Sequence, residues 1–255
     1  MKITLMAIGL FFSATSFAQL QPLVSKVYSY NNAPAANSKK GAIKTIFNGS
    51  GAILSNHNIK VVALVSGKKM NYEKENSTEL FIIIKEGSLS ITLNDKLTEL
   101  GRGSIVCVMP GDKLLISNNS KSIAYYYAMD YVSIAAPNAE RGAKAGGSFI
   151  VNWNDIAFKE HDRGGVRNFF IRPTVMLNKF DIHVSTMNPG KVSHPPHTHT
   201  NEEIILMLDG SGEMQIGNEH QACQAGDVVF LNSMVLHNFS NNSSKPATYY
   251  AIQWN

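Results

Sequence analysis

The stretch GKVSHPPHTHTNEEIILMLDG, residues 190–210, sets a histidine-rich polar segment directly before a strongly apolar run, Glu203 to Leu208, and closes it with Asp209-Gly210. A shift of 123 positions lays residues 67–87, GKKMNYEKENSTELFIIIKEG, on it without a gap. Gly67-Lys68 falls on Gly190-Lys191, Glu79 on Glu202, Ile82 on Ile205 and Gly87 on Gly210. The register continues outward. Gly103 falls on Gly226, Asn118-Asn119-Ser120 on Asn241-Asn242-Ser243, and Tyr126-Tyr127-Ala128 on Tyr249-Tyr250-Ala251. Turn residues recur where a backbone needs special dihedrals, and apolar runs recur between them, which marks two copies of one folding unit. Between the copies lies AAPNAERGAKAGG, residues 135–147, with the Ala, Gly and charge content of a linker. The expected organisation is a first unit over 19–134, a linker over 135–147 and a second unit over 148–255.

Each copy reads as short strands separated by turns. In the second, Lys179 to Val184 alternates polar and apolar, Gly212 to Ile216 leads into the hairpin signal Gly217-Asn218, and Val228 to Leu231, Val235 to Phe239 and Thr248 to Trp254 follow. No segment carries a convincing amphipathic helical period. The predicted fold class is all-β, with a sandwich or barrel in each half.

Composition narrows the functional classes. A net charge of +4 with no Lys/Arg cluster longer than two carries no nucleic-acid footprint. Met1-Lys2, the uncharged run Ile3 to Phe12 and the small residues of Ser16-Phe17-Ala18 have the three parts of a secretory signal peptide, residues 1–18. The run is too short for a membrane anchor, and the expected location is periplasmic or secreted, with no membrane attachment after cleavage. Two cysteines, Cys107 and Cys223, make neither a disulfide framework nor a cysteine zinc site; in an oxidising compartment they either pair or stay buried in their separate apolar stretches.

All eight histidines except His57 follow residue 160, so histidine chemistry belongs to the second copy. On a strand His197 and His199 point to one face. Glu203 follows across a short polar turn, and His237 lies on a later strand. Three neutral imidazoles and a carboxylate suit one divalent transition metal, Mn, Zn, Fe or Ni, with room left for water or substrate. Glu202 competes with Glu203 for the acid role. Its counterpart in the first copy is also acidic, Glu79, whereas Glu203 corresponds to Leu80, His237 to Leu114, and the His-x-His pair to Lys74 and Asn76. Four positions lost together identify Glu203 as the ligand and leave Glu202 as an outward-facing residue. The first copy is expected to bind no metal.

These residues resemble the cupin family. Gly190, His197, His199, Glu203 and Gly210 are similar to its first motif, with one extra residue between Gly190 and His197; Gly226, His237 and Asn241 are similar to its second, with Asn232 where Pro is usual and Met234 where Gly is usual. The resemblance spans both halves and implies two tandem cupin barrels (double-stranded β-helix, or jelly roll), a bicupin with one live C-terminal metal site. It implies little about substrate. The layout is similar to that of the ureidoglycine aminohydrolases, whose metal site has a different ligand spacing, so that substrate is not carried over; cupins acting on unsaturated uronates are another non-oxidative precedent. The expected function is metal-dependent hydrolysis or isomerisation of a small polar substrate, acidic if nearby arginines bind it. The alternatives are an Fe(II) dioxygenase and a non-catalytic metal or ligand-binding module. Edge strands of such barrels often pair between chains, so a homodimer is compatible with the sequence.

Around the four ligands stand residues with two readings each. His194 is a proton-transfer group or a surface histidine. His183 enters the pocket if the Asp181, His183, Ser185 parity faces the lumen, and leaves it if Phe180, Ile182 and Val184 do. Arg163, Arg167 and Arg172 suit a substrate carboxylate or structural ion pairs. Gln253 shares parity with Ala251 and Tyr249. The recurrence of Tyr126, Tyr127, Tyr249 and Tyr250 favours packing.

Overall fold

The computed structural model describes residues 20–73 and 77–255. The expected signal segment 1–18, and Lys74 and Asn76, lie outside the described residues. The first copy forms β1 (Lys26–Tyr28), β2 (Ala35–Ser38), β3 (Gly41–Gly49), β4 (Leu54–Leu64), β5 (Lys69–Glu73), β6 (Glu79–Glu86), β7 (Ser88–Leu93), β8 (Lys96–Gly101), β9 (Ile105–Val108), β10 (Lys113–Ser117) and β11 (Ala124–Ser133). Helix α1 (Ala139–Lys144) follows. The second copy forms β12 (Phe149–Val151), β13 (Lys159–His161), β14 (Gly164–Arg172), β15 (Phe180–Met187), β16 (Glu202–Asp209), β17 (Ser211–Ile216), β18 (Glu219–Gln224), β19 (Val228–Leu231), β20 (His237–Ser240) and β21 (Ala247–Trp254). The 123-residue shift of the sequence carries β6 onto β16, β9 onto β19 and β11 onto β21.

Each half is a jelly-roll barrel built from one large and one small antiparallel sheet. The large sheets run β12-β9-β6-β11-β4-β3-β2 and β1-β19-β16-β21-β15-β14-β13, and the small ones β5-β10-β7-β8 and β18-β17-β20. The halves exchange their first strands. Val27 of β1 pairs with Val229 of β19, and Ile150 of β12 pairs with Val106 of β9, the same pairing under the shift. The hairpin expected at Gly217-Asn218 joins β17 to β18, with Ile216 opposite Glu219. The linker holds α1, which pattern reading missed because six residues are too few to display a period; Asn138 caps it, accepting from Arg141 N at 2.8 Å. No helix of the described residues is long and apolar enough to cross a membrane.

Strand parity distributes the side chains into three cores. On β16, Ile204, Leu206 and Leu208 face the first barrel and join Phe81, Ile83 and Phe180 in the core between the barrels, while Ile205 and Met207 face the second lumen. The run is apolar without alternation because both of its faces are buried. Ile204 and Leu206 are fully buried, each contributing about 1.5–3 kcal/mol of apolar burial. The first lumen is filled by its own apolar set, including Leu80 and Leu114, where the second copy carries Glu203 and His237. On β15, Phe180, Ile182 and Val184 enter the core between the barrels, so the Asp181, His183, Ser185 parity faces the lumen. Cys107 belongs to the core between the barrels and Cys223 to the second lumen, and both are free thiols. Burial pushes both thiols up, Cys223 to about 12.

The expectation that Glu202 faces outward is corrected by its burial: it is 0% exposed. It does point away from the lumen, but that face is covered by the first barrel. Its carboxylate accepts from Ala52 N at 2.7 Å, Ile53 N at 3.3 Å and Trp254 Nε1 at 3.1 Å. Glu79 does the reciprocal work, accepting from Thr174 Oγ1 at 2.8 Å and Met176 N at 2.9 Å. Met176 is the repeat counterpart of Ile53, and Thr174 that of Gly51. A Cβ on Gly51 would stand 2.3 Å from Glu202 Oε1, so that glycine makes room for the carboxylate. A second reciprocal pair adds to the clamp: Tyr127 Oη donates to Gly226 O at 3.2 Å, and Tyr250 Oη donates to Gly103 O. Packing therefore does account for Tyr127 and Tyr250.

Candidate metal centre

One antiparallel bridge brings the histidines together. His197 pairs with His237, with His197 N donating to His237 O at 3.2 Å and His237 N donating to His197 O at 3.0 Å. The turn before β20 is tied to the same place, since Met234 N donates to His199 O at 2.8 Å. Met234 holds a left-handed φ of 63°, as its repeat counterpart Gly111 does at 86°. The second copy thus keeps a backbone that favours glycine without the glycine. Asn241, fully buried, holds the far end of β20 by donating its amide to Met187 O and Lys245 O, each at 2.8 Å.

The imidazole ligand atoms of His197, His199 and His237 lie within 4.8 Å of one another. His199 Nδ1 donates to Asn201 O at 3.0 Å and His237 Nδ1 donates to Val235 O at 2.8 Å; a carbonyl only accepts, so both rings are fixed with Nε2 turned inward. Those two Nε2 atoms lie 3.1 Å and 3.0 Å from Glu203 Oε2. His197 Nδ1 is buried without a hydrogen-bond partner, and His237 Nε2, whose ring proton is on Nδ1, sets a lone pair against the Glu203 carboxylate, an arrangement that is costly unless a cation occupies the space between them. Burial pushes the Glu203 carboxyl up, but the neighbouring His199 and His237, with Gln253, outweigh it and hold it at about 2. Glu203 is the first cause that raises the His199 pKa, and burial followed by the three neighbouring histidines lowers that of His197. Glu203 Oε1 accepts from Gln253 Nε2 at 3.2 Å, and Gln253 Oε1 in turn accepts from Asn201 Nδ2 at 3.1 Å. Three imidazoles whose ligand atoms converge beside a carboxylate fit a divalent metal ion. Among the described residues the first barrel offers no such cluster.

The cluster opens on a cavity of about 270 Å³. His183 and His194 both line it, as does Gln253. The His194 ring stands perpendicular to that of His197, centroids 4.1 Å apart, and burial lowers the His183 pKa. Of the three arginines, Arg163 lines the cavity. Arg167 instead stacks over Trp153 at 4.7 Å and donates to Ile156 O, and Arg172 sits 4.1 Å over the Phe149 ring. Tyr249 packs in the second lumen's core, its ring 4.7 Å from that of Phe239, and lines the cavity as well. Its parity with Gln253 on β21 was the available signal, since a lumen-facing Gln253 carries Tyr249 inward with it. His161 lines the wall beside Arg163 with no sequence signal, coming from an exposed edge strand. The floor is apolar: Met187, Ile205, Met214, Phe239 and Ala251.

The cupin domain family matches residues 183–253, which carry the three histidines and Glu203. A probable (S)-ureidoglycine aminohydrolase of Oryza sativa subsp. japonica is 29% identical over 63 residues, 25% of this chain and 20% of the relative. The (S)-ureidoglycine aminohydrolase of Arabidopsis thaliana is 30% identical over 63 residues, 25% of this chain and 21% of that protein. The matched segment thus spans about a fifth of the length of these curated relatives. Among solved structures, protein YlbA from E. coli superposes with a TM-score of 0.71 at 14% identity, covering 90% of each chain. The oxalate decarboxylase of Lactobacillus farciminis superposes with a TM-score of 0.70 at 13% identity, covering 91% of this chain and 87% of that one. At such identities the superpositions speak for the fold, two tandem jelly-roll barrels, and the cupin domain match lies in the second of them.

Proposed function

We propose that this bicupin is an exported metal-dependent enzyme of non-oxidative type, a hydrolase or isomerase, that holds one divalent ion in its second barrel and acts there on a small polar substrate. The observation that carries the reading is the convergence of His197, His199 and His237, with His197 Nδ1 buried and lacking a partner, beside a cavity that His197 and His237 line and that is open enough for a small molecule. His197, His199, His237 and Glu203 are the proposed ligands. When bound, the ion supplies Lewis-acid polarisation of a substrate oxygen or activation of water. The protein holds two ligand rings through Asn201 O and Val235 O and orients Glu203 through Gln253. His183 and His194 line the open side, where each is placed to move a proton to or from the substrate. Export rests on residues 1–18 and their signal-peptide pattern.

The test is metal analysis of protein purified without added metal, followed by reconstitution with Zn(II), Mn(II), Ni(II) and anaerobic Fe(II), and a turnover screen of ureido compounds and sugar acids. Turnover without oxygen uptake supports the reading. Turnover that requires Fe(II) and consumes oxygen makes the protein a dioxygenase, and a metal-loaded protein that binds compounds without converting them makes it a binding module.

A further inference from the structure

Resting on the metal reading above, we infer that the cavity has a second pole, Arg163 with His161, that binds a carboxylate of the substrate, so that the substrate is a compact carboxylate whose other end reaches the histidine cluster. The two poles come from opposite ends of the same sheet. Glu203 pairs with Gln253, which pairs with Asp181 at the start of β15, whereas Gly164, next to Arg163, pairs with Met187 at its end.

The second pole is built rather than incidental. The Arg163 guanidinium is held by Nη1 donating to Ser193 O, and its backbone carbonyl accepts from Asn188 N at 2.9 Å. Its nearest acid is the exposed Asp162, with 3.7 Å between Arg163 Nε and Asp162 Oδ1. Nη2 has no acceptor among the described residues and remains for a ligand. His161 Nδ1 accepts from Arg163 N at 3.2 Å, so its neutral ring carries the proton on Nε2 and can donate to the same anion. Among the lining residues the one carboxylate is Glu203, already engaged by His199 and Gln253. A guanidinium whose one acid partner is an exposed residue outside the cavity, in a lining without a spare acid, selects an anion, and its planar donors match a carboxylate.

Between the poles the floor is Met187, Ile205, Met214, Phe239 and Ala251. Ser185, Ser193 and Tyr249 also line the cavity, but their hydroxyls hydrogen-bond among themselves and Ser193 Oγ accepts from Phe239 N, so a carboxylate with a short hydrocarbon body suits the floor better than a polyhydroxylated sugar acid.

The experiment is calorimetric titration of Zn(II)-loaded protein with glutarate and, in parallel, with glucarate. Glutarate should bind wild type more tightly than glucarate does. Arg163→Gln should weaken glutarate by about tenfold or more, while Arg163→Lys should lose less. Zn(II) affinity should stay unchanged in both variants, which separates ligand binding from a merely structural role for the Ser193 contact. Lys191→Gln, which removes an exposed charge, should leave glutarate affinity as it is. Absence of glutarate binding, equal affinity in wild type and Arg163→Gln, or a preference for glucarate overturns the inference. Failure to load Zn(II) overturns the metal reading instead; glutarate binding that still depends on Arg163 in that case retains the carboxylate pole.

Discussion

Glu202→Gln tests how the barrels are joined and what that junction does for the metal centre. Three N–H donors converge on the Glu202 carboxylate, at 2.7, 3.3 and 3.1 Å, and nothing in that shell accepts from it. A glutamine keeps the volume but turns an NH2 group toward at least one of those donors. Hydrogen bonds to a charged group contribute about 1.5–3 kcal/mol each, and a buried donor left unpaired costs about 1–3 kcal/mol. A net loss of about 3 kcal/mol follows, which for a protein of this size lowers the melting temperature by roughly 6–12 °C. Glu79→Gln should cost somewhat less, because the Thr174 hydroxyl at 2.8 Å can rotate away from the new NH2 group. Metal affinity should separate the two. Glu202 precedes the proposed ligand Glu203 on β16, so Glu202→Gln loosens that ligand, while Glu79→Gln, in the other barrel, leaves metal binding as in wild type. Glu203→Gln should lose far more metal affinity than either, since it removes a ligand. Thermal unfolding with and without metal, and metal titration by calorimetry, read both effects. A Glu202→Gln protein that melts within about 1 °C of wild type would refute the clamp, and equal metal losses in Glu202→Gln and Glu79→Gln would refute the link to Glu203.

Two further outcomes follow from the core between the barrels. His57 is buried among Phe47, Phe230 and Trp254, its Nδ1 has no partner, and burial pushes its pKa down to about 3. Between that value and about 6.5 the unfolded chain binds a proton that the folded one refuses, so stability falls as pH drops through this window, by about 1.4 kcal/mol per unit. The repeat counterpart of His57 is Phe180, and His57→Phe should flatten the stability profile between about pH 6.5 and 5 by about 2 kcal/mol in chemical denaturation; an unchanged slope contradicts the burial argument. Gly51→Ala places a Cβ 2.3 Å from Glu202 Oε1, and should destabilise at least as much as Glu202→Gln with no added loss when the two are combined. Additive losses would show that the two substitutions act at separate places.

The sequence made the architecture readable because turns cannot drift. Gly103 and Gly226, and the Asn118 and Asn241 corners, sit at fixed intervals that survive the loss of the metal ligands in the first copy. The same repeat revealed which acid belongs with the histidines, through the exchange of Glu203 for Leu80. It misled at Glu202, because parity shows which side of a sheet a residue occupies and says nothing of what lies against that side. Here the side opposite the lumen is covered by a second barrel, a contact formed by residues about 150 positions away. The recurrence of Tyr126 and Tyr249 reflects a shared lumen position: both pack in their cores, and in the second copy, where the lumen is open, Tyr249 borders the cavity too. His161 and Arg163 reach the cavity through the fold of an edge hairpin, which no periodicity reports. The six residues of α1 were too few to be seen at all.

The most direct test is the metal content of purified wild type set against His237→Ala, measured by elemental mass spectrometry with circular dichroism to confirm the fold. The arrangement of His197, His199 and His237 predicts about one divalent ion per wild-type chain and a near-complete loss in His237→Ala with the barrels intact. An ion retained by folded His237→Ala, or a wild-type protein that takes up none at neutral pH, contradicts it.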